Sequence, residues 1–185
     1  MKNLLYRTFN SPFNNYTIVW KETGKSIKIQ RIFLSDLKIN SEIKAFKIFT
    51  HLKIGSSPII TDLNKEIQEF LKGNNVKFQL VLLDFSVCLQ FQKRILLAEN
   101  NIPRGFVSTY KRISNHLGVV NGARAVGNAL ANNPFPIIIP CHRAIKSNGD
   151  LGGFQGGSSM KKSLLEAEGV EFSQTGKVLM NQIFY

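Results

Sequence analysis

The sequence predicts a mixed α/β fold of the α+β kind: a small N-terminal β-sheet with a helix, then a mostly helical C-terminal domain containing a helix-turn-helix. Three observations predict it. Period-2 apolar alternation is concentrated before residue 83. Helix-period stripes with caps and glycine stops crowd the second half. Two short helical stretches there flank a glycine-containing turn. At 185 residues the chain suffices for one sizeable domain or two small ones, and the expected division is 1–85 and 86–185.

Taken in order, Tyr16–Trp20 is rich in β-formers and follows the turn-like Ser11-Pro-Phe-Asn-Asn15. Gly24 separates it from Ser26–Ile32, which begins with alternation, so the pair is expected as a hairpin. Thr61-Asp62 is placed to cap a helix with Leu63, Ile67, Phe70 and Leu71 on its apolar face, stopped by Gly73. Val76, Phe78, Leu80 and Leu82 alternate as a strand or an extended connector. A helix from about Val87 to Glu99 carries Cys88, Phe91 and Ile95 on one stripe and ends at Ile102-Pro103. Ser108-Thr109 offers an N-cap for a short helix with Tyr110, Ile113 and Leu117 on one face, and Gly118 breaks it. A second short helix spans about Gly122 to Ala131. Ile137-Ile-Ile139 is a buried-strand candidate, Ser147 to Gly157 a Gly-rich loop, and Ser158 or Ser159 caps a last helix that ends at Gly169.

Composition narrows the function classes. Twenty-four Lys+Arg against twelve Asp+Glu give a net charge of +12. Between Asn101 and Lys162 there are eight basic residues and one acidic residue, Asp150, an imbalance that attracts polyanions. The apolar run Phe135–Pro140 is too short to cross a bilayer, and the N-terminus has no signal-peptide pattern, so a cytoplasmic protein without a membrane partner is expected. Two cysteines, Cys88 and Cys141, with scattered His51, His116 and His142, make neither a disulfide scaffold nor a zinc site. No metal and no cofactor are expected.

Cys141 is the candidate nucleophile. It follows a proline at the end of an apolar run, and a neighbouring histidine raises the thiolate fraction of a thiol. Taken alone, Cys141-His142 reads first as a small buried hydrophobe beside a satisfied polar residue. In extended chain the two side chains point to opposite faces, so His142 would act through a bridging water unless the chain turns sharply. A histidine base also needs an orienter, and Asp150, Glu166, Glu168 and Glu171 all remain open by spacing. The second short helix, Gly122-Ala-Arg-Ala-Val-Gly-Asn-Ala-Leu130, is built of small residues around Arg124. That composition suits close approach to a minor groove or close packing on another helix.

Pro140-Cys-His-Arg143 after Ile137-Ile-Ile139 resembles the active-site signature of the O6-alkylguanine-DNA alkyltransferases. Four further segments agree in order and spacing: Ile102–Tyr110, Gly122–Gly127, Asn133-Pro134, and Leu151–Gly157 followed by Lys161, Leu164, Leu165 and Glu168-Gly169. The resemblance covers about Phe91 to Gly169. It implies a ribonuclease H-like first domain and a single-turnover methylated-DNA–[protein]-cysteine S-methyltransferase. Such a protein moves an alkyl group from O6-alkylguanine in double-stranded DNA onto Cys141, with O4-alkylthymine as a candidate second substrate, and acts as a monomer.

The resemblance also implies roles. His142 takes the thiol proton through a water, Glu168 orients His142, Asn133 completes the network and Tyr110 donates toward the purine. Arg124 fills the stack vacated by the flipped nucleotide, with Thr109, Ala123, Ala125 and Gly127 at the DNA. Pro136, Ala144, Leu151, Phe154 and Gln155 fall on the base pocket. Phe154 stands where a tyrosine is common, Gln155 where a serine or arginine is common, and Ala144 replaces a more usual valine. Three alternatives stand beside this reading. A non-catalytic binder of alkylated bases would have tryptophan in place of Cys141. A helix-turn-helix regulator would not need Cys141-His142. A cysteine hydrolase would need an oxyanion site.

Overall fold

The computed structural model describes residues 4–24 and 26–185. The chain forms two compact units, 1–87 with 134–138, and 88–133 with 139–185. The first unit therefore takes in five residues from deep within the second half, an excursion that nothing in the sequence pattern marks.

In the first unit, β1 (Leu4–Phe9), β2 (Tyr16–Thr23), β3 (Ser26–Leu34) and β4 (Leu52–Ile54) form one sheet in the order β3-β2-β1-β4. The β2–β3 pair is the expected hairpin, and it runs antiparallel with a bulge between Val19 and Trp20. Tyr16–Trp20 is buried at every position, because β2 lies inside the sheet with elements on both faces. Strands β1 and β4 pair in parallel, and neither was visible as alternation. Helix α1 (Ser41–Ile48) is capped by Asn40, whose side chain accepts from the Glu42 N–H. Helix α2 (Pro58–Leu71) buries the expected face of Leu63, Ile67, Phe70 and Leu71, but its N-cap position is Ser57, four residues before Thr61. Pro58 suits the first turn, and Thr61 Oγ1 donates back to the Ser57 carbonyl at 3.0 Å, so Thr61 lies inside the helix instead of capping it. Residues 76–79 are irregular and lead into a short 3-10 turn at Leu80–Leu82.

In the second unit, helix α3 (Gln90–Asn100) begins after Cys88, which is half-buried and outside the helix. Strand β5 (Ser108–Thr109) leads into helix α4 (Tyr110–His116), and helix α5 (Ala123–Ala131) follows after the turn. That turn needs Gly118 at φ +71°. It needs Gly122 for space, since a Cβ there would lie 2.5 Å from Val119 Cγ1. Strand β6 (Ala144–Ile145) pairs in parallel with β5, and helix α6 (Gly157–Ala167) closes the unit. Gly156 is the N-cap of α6, so Ser158 and Ser159 lie within the first turn and neither is the cap.

The strand expected at Ile137–Ile139 is absent. These residues are buried, but 137–138 form a turn and Ile137 sits at φ +75°. A β-branched residue in the left-handed region carries about 1–3 kcal/mol of strain, which the surrounding burial must offset. Among the described residues, no helix is long and apolar enough to cross a membrane.

Candidate active site

The turn before Cys141 aims its side chain. Pro140 lies at φ −78° and ψ 55°, the inverse γ-turn region that suits the fixed φ of proline. The Cys141 N–H closes that turn on the Ile139 carbonyl at 2.8 Å. Cys141–Arg143 then makes one turn of 3-10 helix. Successive side chains in such a turn are rotated by roughly 120° instead of alternating between two faces, so the sharp turn that the sequence left open is present.

The thiol is buried, and Asn133 Nδ2 donates to its Sγ at 3.1 Å and to the Ile139 carbonyl at 3.2 Å. Burial pushes the Cys141 pKa up to about 11; the Asn133 bond and the Lys161 charge oppose the rise, and the Glu99 charge adds to it. A thiol in this state is protonated near neutral pH and reacts only if a base removes its proton.

The base and its support are adjacent. Glu168, at the C-cap of α6, holds His142 Nε2 at 3.0 Å through Oε1. Arg143 reaches the same carboxylate twice, Nε to Oε2 and NH2 to Oε1, each at 2.8 Å, and its NH1 donates to the Ile102 carbonyl at 2.6 Å. Burial alone would raise the Glu168 pKa, but the bonds from His142 and Arg143 outweigh it and hold the carboxyl at about 2. Burial lowers the His142 pKa against the pull of Glu168. An ionised carboxylate only accepts, so Nε2 carries the ring proton and Nδ1 keeps the lone pair. Spacing left four carboxylates open as orienters; the geometry brings Glu168 to the ring.

A cavity of about 230 Å³ opens on the thiol, lined by Tyr110, Gly127, Leu130, Ala131, Cys141, Lys146, Gly152, Gly153 and Phe154. Burial raises the Tyr110 pKa to about 12, with the charges of Glu99 and Cys141 adding to it, so the hydroxyl remains a donor. Gly152 lies against it at φ +71°, and a Cβ there would sit 2.5 Å from the Tyr110 hydroxyl. Only glycine both adopts that backbone and leaves the hydroxyl its place. The Phe154 ring lines the cavity and meets His142 edge-on at 6.2 Å.

The other expected site residues divide. Arg124 and Ala125 are exposed on the first turn of α5, Ala123 is half-buried there, and Arg124 has no ion-pair partner among the described residues. Gly127 faces the cavity. Thr109, expected at the DNA, is buried, and its Oγ1 caps α4 by accepting from the Arg112 N–H at 3.1 Å. Four of the five expected pocket residues do not line the cavity. Pro136 belongs to the segment 134–138 of the first unit. Ala144 is fully buried in β6 opposite Ser108. Leu151 packs on the core of Val107, Ile145, Leu165, Val170 and Val178. Gln155 is half-buried in the turn before α6. Lys146, Leu130 and Ala131 were missed as lining residues, because nothing in a linear pattern shows which loop side chains converge on a cavity. Among the described residues, no group of three His, Cys, Asp or Glu side chains is placed to hold a metal ion.

Comparison with known proteins gives a consistent result. The family described as 6-O-methylguanine DNA methyltransferase, DNA binding domain, matches residues 90–170. A methylated-DNA–protein-cysteine methyltransferase of Sulfolobus acidocaldarius is 34% identical over 167 residues, covering 90% of this chain and 94% of the relative. A relative of the same description from Methanothermobacter thermautotrophicus is 46% identical over 117 residues, 62% of this chain. The chain spans 65% of that relative's length and 52% of one from Candida glabrata. The crystal structure of Mycobacterium tuberculosis OGT in complex with DNA matches with a TM-score of 0.66 and 30% identity, covering 89% of this chain and 92% of that one.

Proposed function

The chain belongs to the methylated-DNA–protein-cysteine methyltransferase family, and from that membership we propose that it repairs DNA by moving the alkyl group of O6-alkylguanine onto Cys141, once per molecule. One observation carries the reading: a buried, protonated thiol opens on a cavity of about 230 Å³, with a histidine base fixed by Glu168 beside it. His142 Nδ1 takes the thiol proton through a bridging water while Sγ attacks the alkyl carbon. The C–S bond forms as the C–O6 bond breaks and its electron pair stays on O6; the guanine takes up one proton from water, His142 returns the thiol's proton to water, and no proton is gained or lost overall. Tyr110 donates a hydrogen bond toward the purine, so the leaving group departs as a neutral base. A placed acid or base of this kind is worth about 10²–10⁴ in rate. A neutral thioether is a poor electrophile that does not give its alkyl group up again, so the reaction ends after one turnover.

The partner is double-stranded DNA, met by α5 from the minor groove. The net charge of +12 and the exposed Arg124 support that reading. The protein acts as a monomer. The test is to mix the protein with a duplex carrying O6-methylguanine and weigh the protein. A gain of one methyl group per molecule, located on Cys141, is expected. Unchanged mass with tight duplex binding would mean a non-catalytic binder instead.

Arg124 carries a separate prediction. Arg124→Ala will slow repair of duplex substrate by roughly tenfold or more, because unstacking a base costs a few kcal/mol that the arginine offsets. It will leave the reaction with free O6-benzylguanine within about twofold, since no base has to be extruded. Single-turnover rates on the two substrates check it, and equal losses would count against the flipping role.

A further inference from the structure

Among the described residues, the cavity that opens on Cys141 has one charged residue in its lining, Lys146. Glycine, leucine, alanine and phenylalanine make up the rest, with the Tyr110 hydroxyl and the thiol itself. In a site built mostly of apolar surface, the few polar groups decide what is bound and how it lies. A guanine with a neutral methyl group on O6 gives that cation nothing to meet.

The backbone fixes where Lys146 stands. It follows β6 directly and opens a closed turn. The Lys146 N–H donates to the Asp150 carbonyl at 2.9 Å, and the Gly149 N–H donates to the Lys146 carbonyl at 3.1 Å. Its charge, by contrast, is loosely held. Lys146 Nζ stands 3.7 Å from Asp150 Oδ2, and Lys177 Nζ stands 4.0 Å from Asp150 Oδ1. Both separations exceed the roughly 2.7–2.9 Å of a charge-assisted hydrogen bond, and Oδ2 already accepts from Asn148 Nδ2 at 2.9 Å. One carboxylate faces two ammonium groups, so the three side chains carry one net positive charge. The Lys146 side chain is 56% exposed, where ion pairs hold weakly. Lys161 also reaches this loop, but it is fully buried and donates to the Ala144 and Gly153 carbonyls at 2.6 and 3.2 Å, so its charge stays behind the wall.

We propose that Lys146 makes the protein selective for O6 substituents that carry a negative charge, such as the carboxymethyl group. The proposal rests on the transfer reading and names the substrate class of the same cavity. In O6-carboxymethylguanine the carboxylate is bonded to the carbon that Sγ attacks, so it enters the cavity with that carbon. An anion in a mostly apolar cavity loses hydration, and it repels a thiolate approaching the same carbon. The Lys146 ammonium offsets both effects, and for a methyl group it does neither. The bonds are those of methyl transfer. The Sγ–C bond forms, the C–O6 bond breaks with its electron pair on O6, and the guanine takes up a proton from water. The carboxylate keeps its charge throughout.

Two reagents of similar size and different charge test the site without any guanine. Iodoacetate and iodoacetamide alkylate the same thiolate with loss of iodide. The ratio of their rates at Cys141, read on its own peptide by mass spectrometry at one pH, cancels the thiolate population. In Lys146→Met that ratio is expected to fall roughly threefold or more, and in Lys146→Glu further, while Lys146→Arg keeps it within about twofold. The fall shrinks as salt is raised, as for any partly exposed charge. Cys88 does not line the cavity and serves as the internal reference, with a ratio that holds in every variant. The same variants are then given duplexes carrying O6-carboxymethylguanine or O6-methylguanine, and the ratio of single-turnover rates is expected to fall by a similar factor. Equal reagent ratios in wild type and Lys146→Met would overturn the proposal. So would equal losses on the two duplexes, which would make Lys146 a contact to the DNA backbone. No transfer from either duplex, beside a reagent ratio that falls as expected, would sink the transfer reading while supporting the anion selectivity of the cavity.

Discussion

Cys141→Ala protein will gain no mass from a duplex carrying O6-methylguanine, while its affinity for that duplex stays within about threefold of wild type. The first half follows from placement. Sγ opens on the cavity and is the sulfur to which Asn133 donates. Cys88 lies outside α3 and is not among the cavity's lining residues. Losing the sulfur removes the only thiol at the cavity, so activity drops below detection instead of by a factor. The second half follows from size. The substitution removes one atom from a buried site and costs on the order of 1 kcal/mol. Asn133 keeps its bond to the Ile139 carbonyl, so the turn that carries residue 141 persists. Intact-mass measurement and a binding titration at fixed salt check the two halves. A methyl group found on the variant would sink the assignment, and one found on Cys88 would relocate it.

The second large effect belongs to Glu168. Glu168→Ala removes the partner of His142 Nε2 and both carboxylate contacts of Arg143, whose guanidinium is then buried with only the Ile102 carbonyl. Breaking one side of a buried ion pair costs about 3–5 kcal/mol, a large part of a domain's stability. Glu168→Gln keeps the volume and one acceptor, so it costs less stability yet still leaves the imidazole without an anion to favour the imidazolium. Transfer by the Gln variant is expected to fall by roughly 10²–10⁴. Urea melts and single-turnover rates separate the two losses, and a Gln variant with wild-type rate would remove Glu168 from the scheme. The carboxyl also sets an acid limit. Its folded pKa of about 2 lies below the ordinary 4.5. Its contribution to stability is therefore full above the ordinary value and is lost as pH falls through about 2.

Much of this arrangement was legible because its signals are local. The β2–β3 hairpin shows in alternation and a glycine turn, and the α4–α5 pair in caps, stripes and Gly118. The resemblance supplied Glu168 and Asn133, where spacing alone had left the carboxylate undecided, and both now contact the residues expected. What failed was nonlocal. Ile137–Ile139 is apolar and buried, as a core strand would be, but a continuous apolar run has no period and so says nothing about backbone conformation. Glu99 had a signal that went unread. It continues the helical spacing of Phe91 and Ile95, and a carboxylate on an apolar stripe is the informative exception to burial rules.

The excursion at residues 134–138 has a consequence for how the molecule can be taken apart. Neither unit is contiguous in the chain, which passes from one to the other at 87/88, 133/134 and 138/139. A fragment starting at residue 88 would carry Phe135, Ile137 and Ile138 away from the unit that buries them. Immediately after that thread comes Cys141's own turn, closed on the Ile139 carbonyl. The thread 134–138 is continuous in the chain with the turn that carries Cys141. A cut at 87/88 therefore isolates neither unit, and fragments meant to separate them have three junctions to respect instead of one.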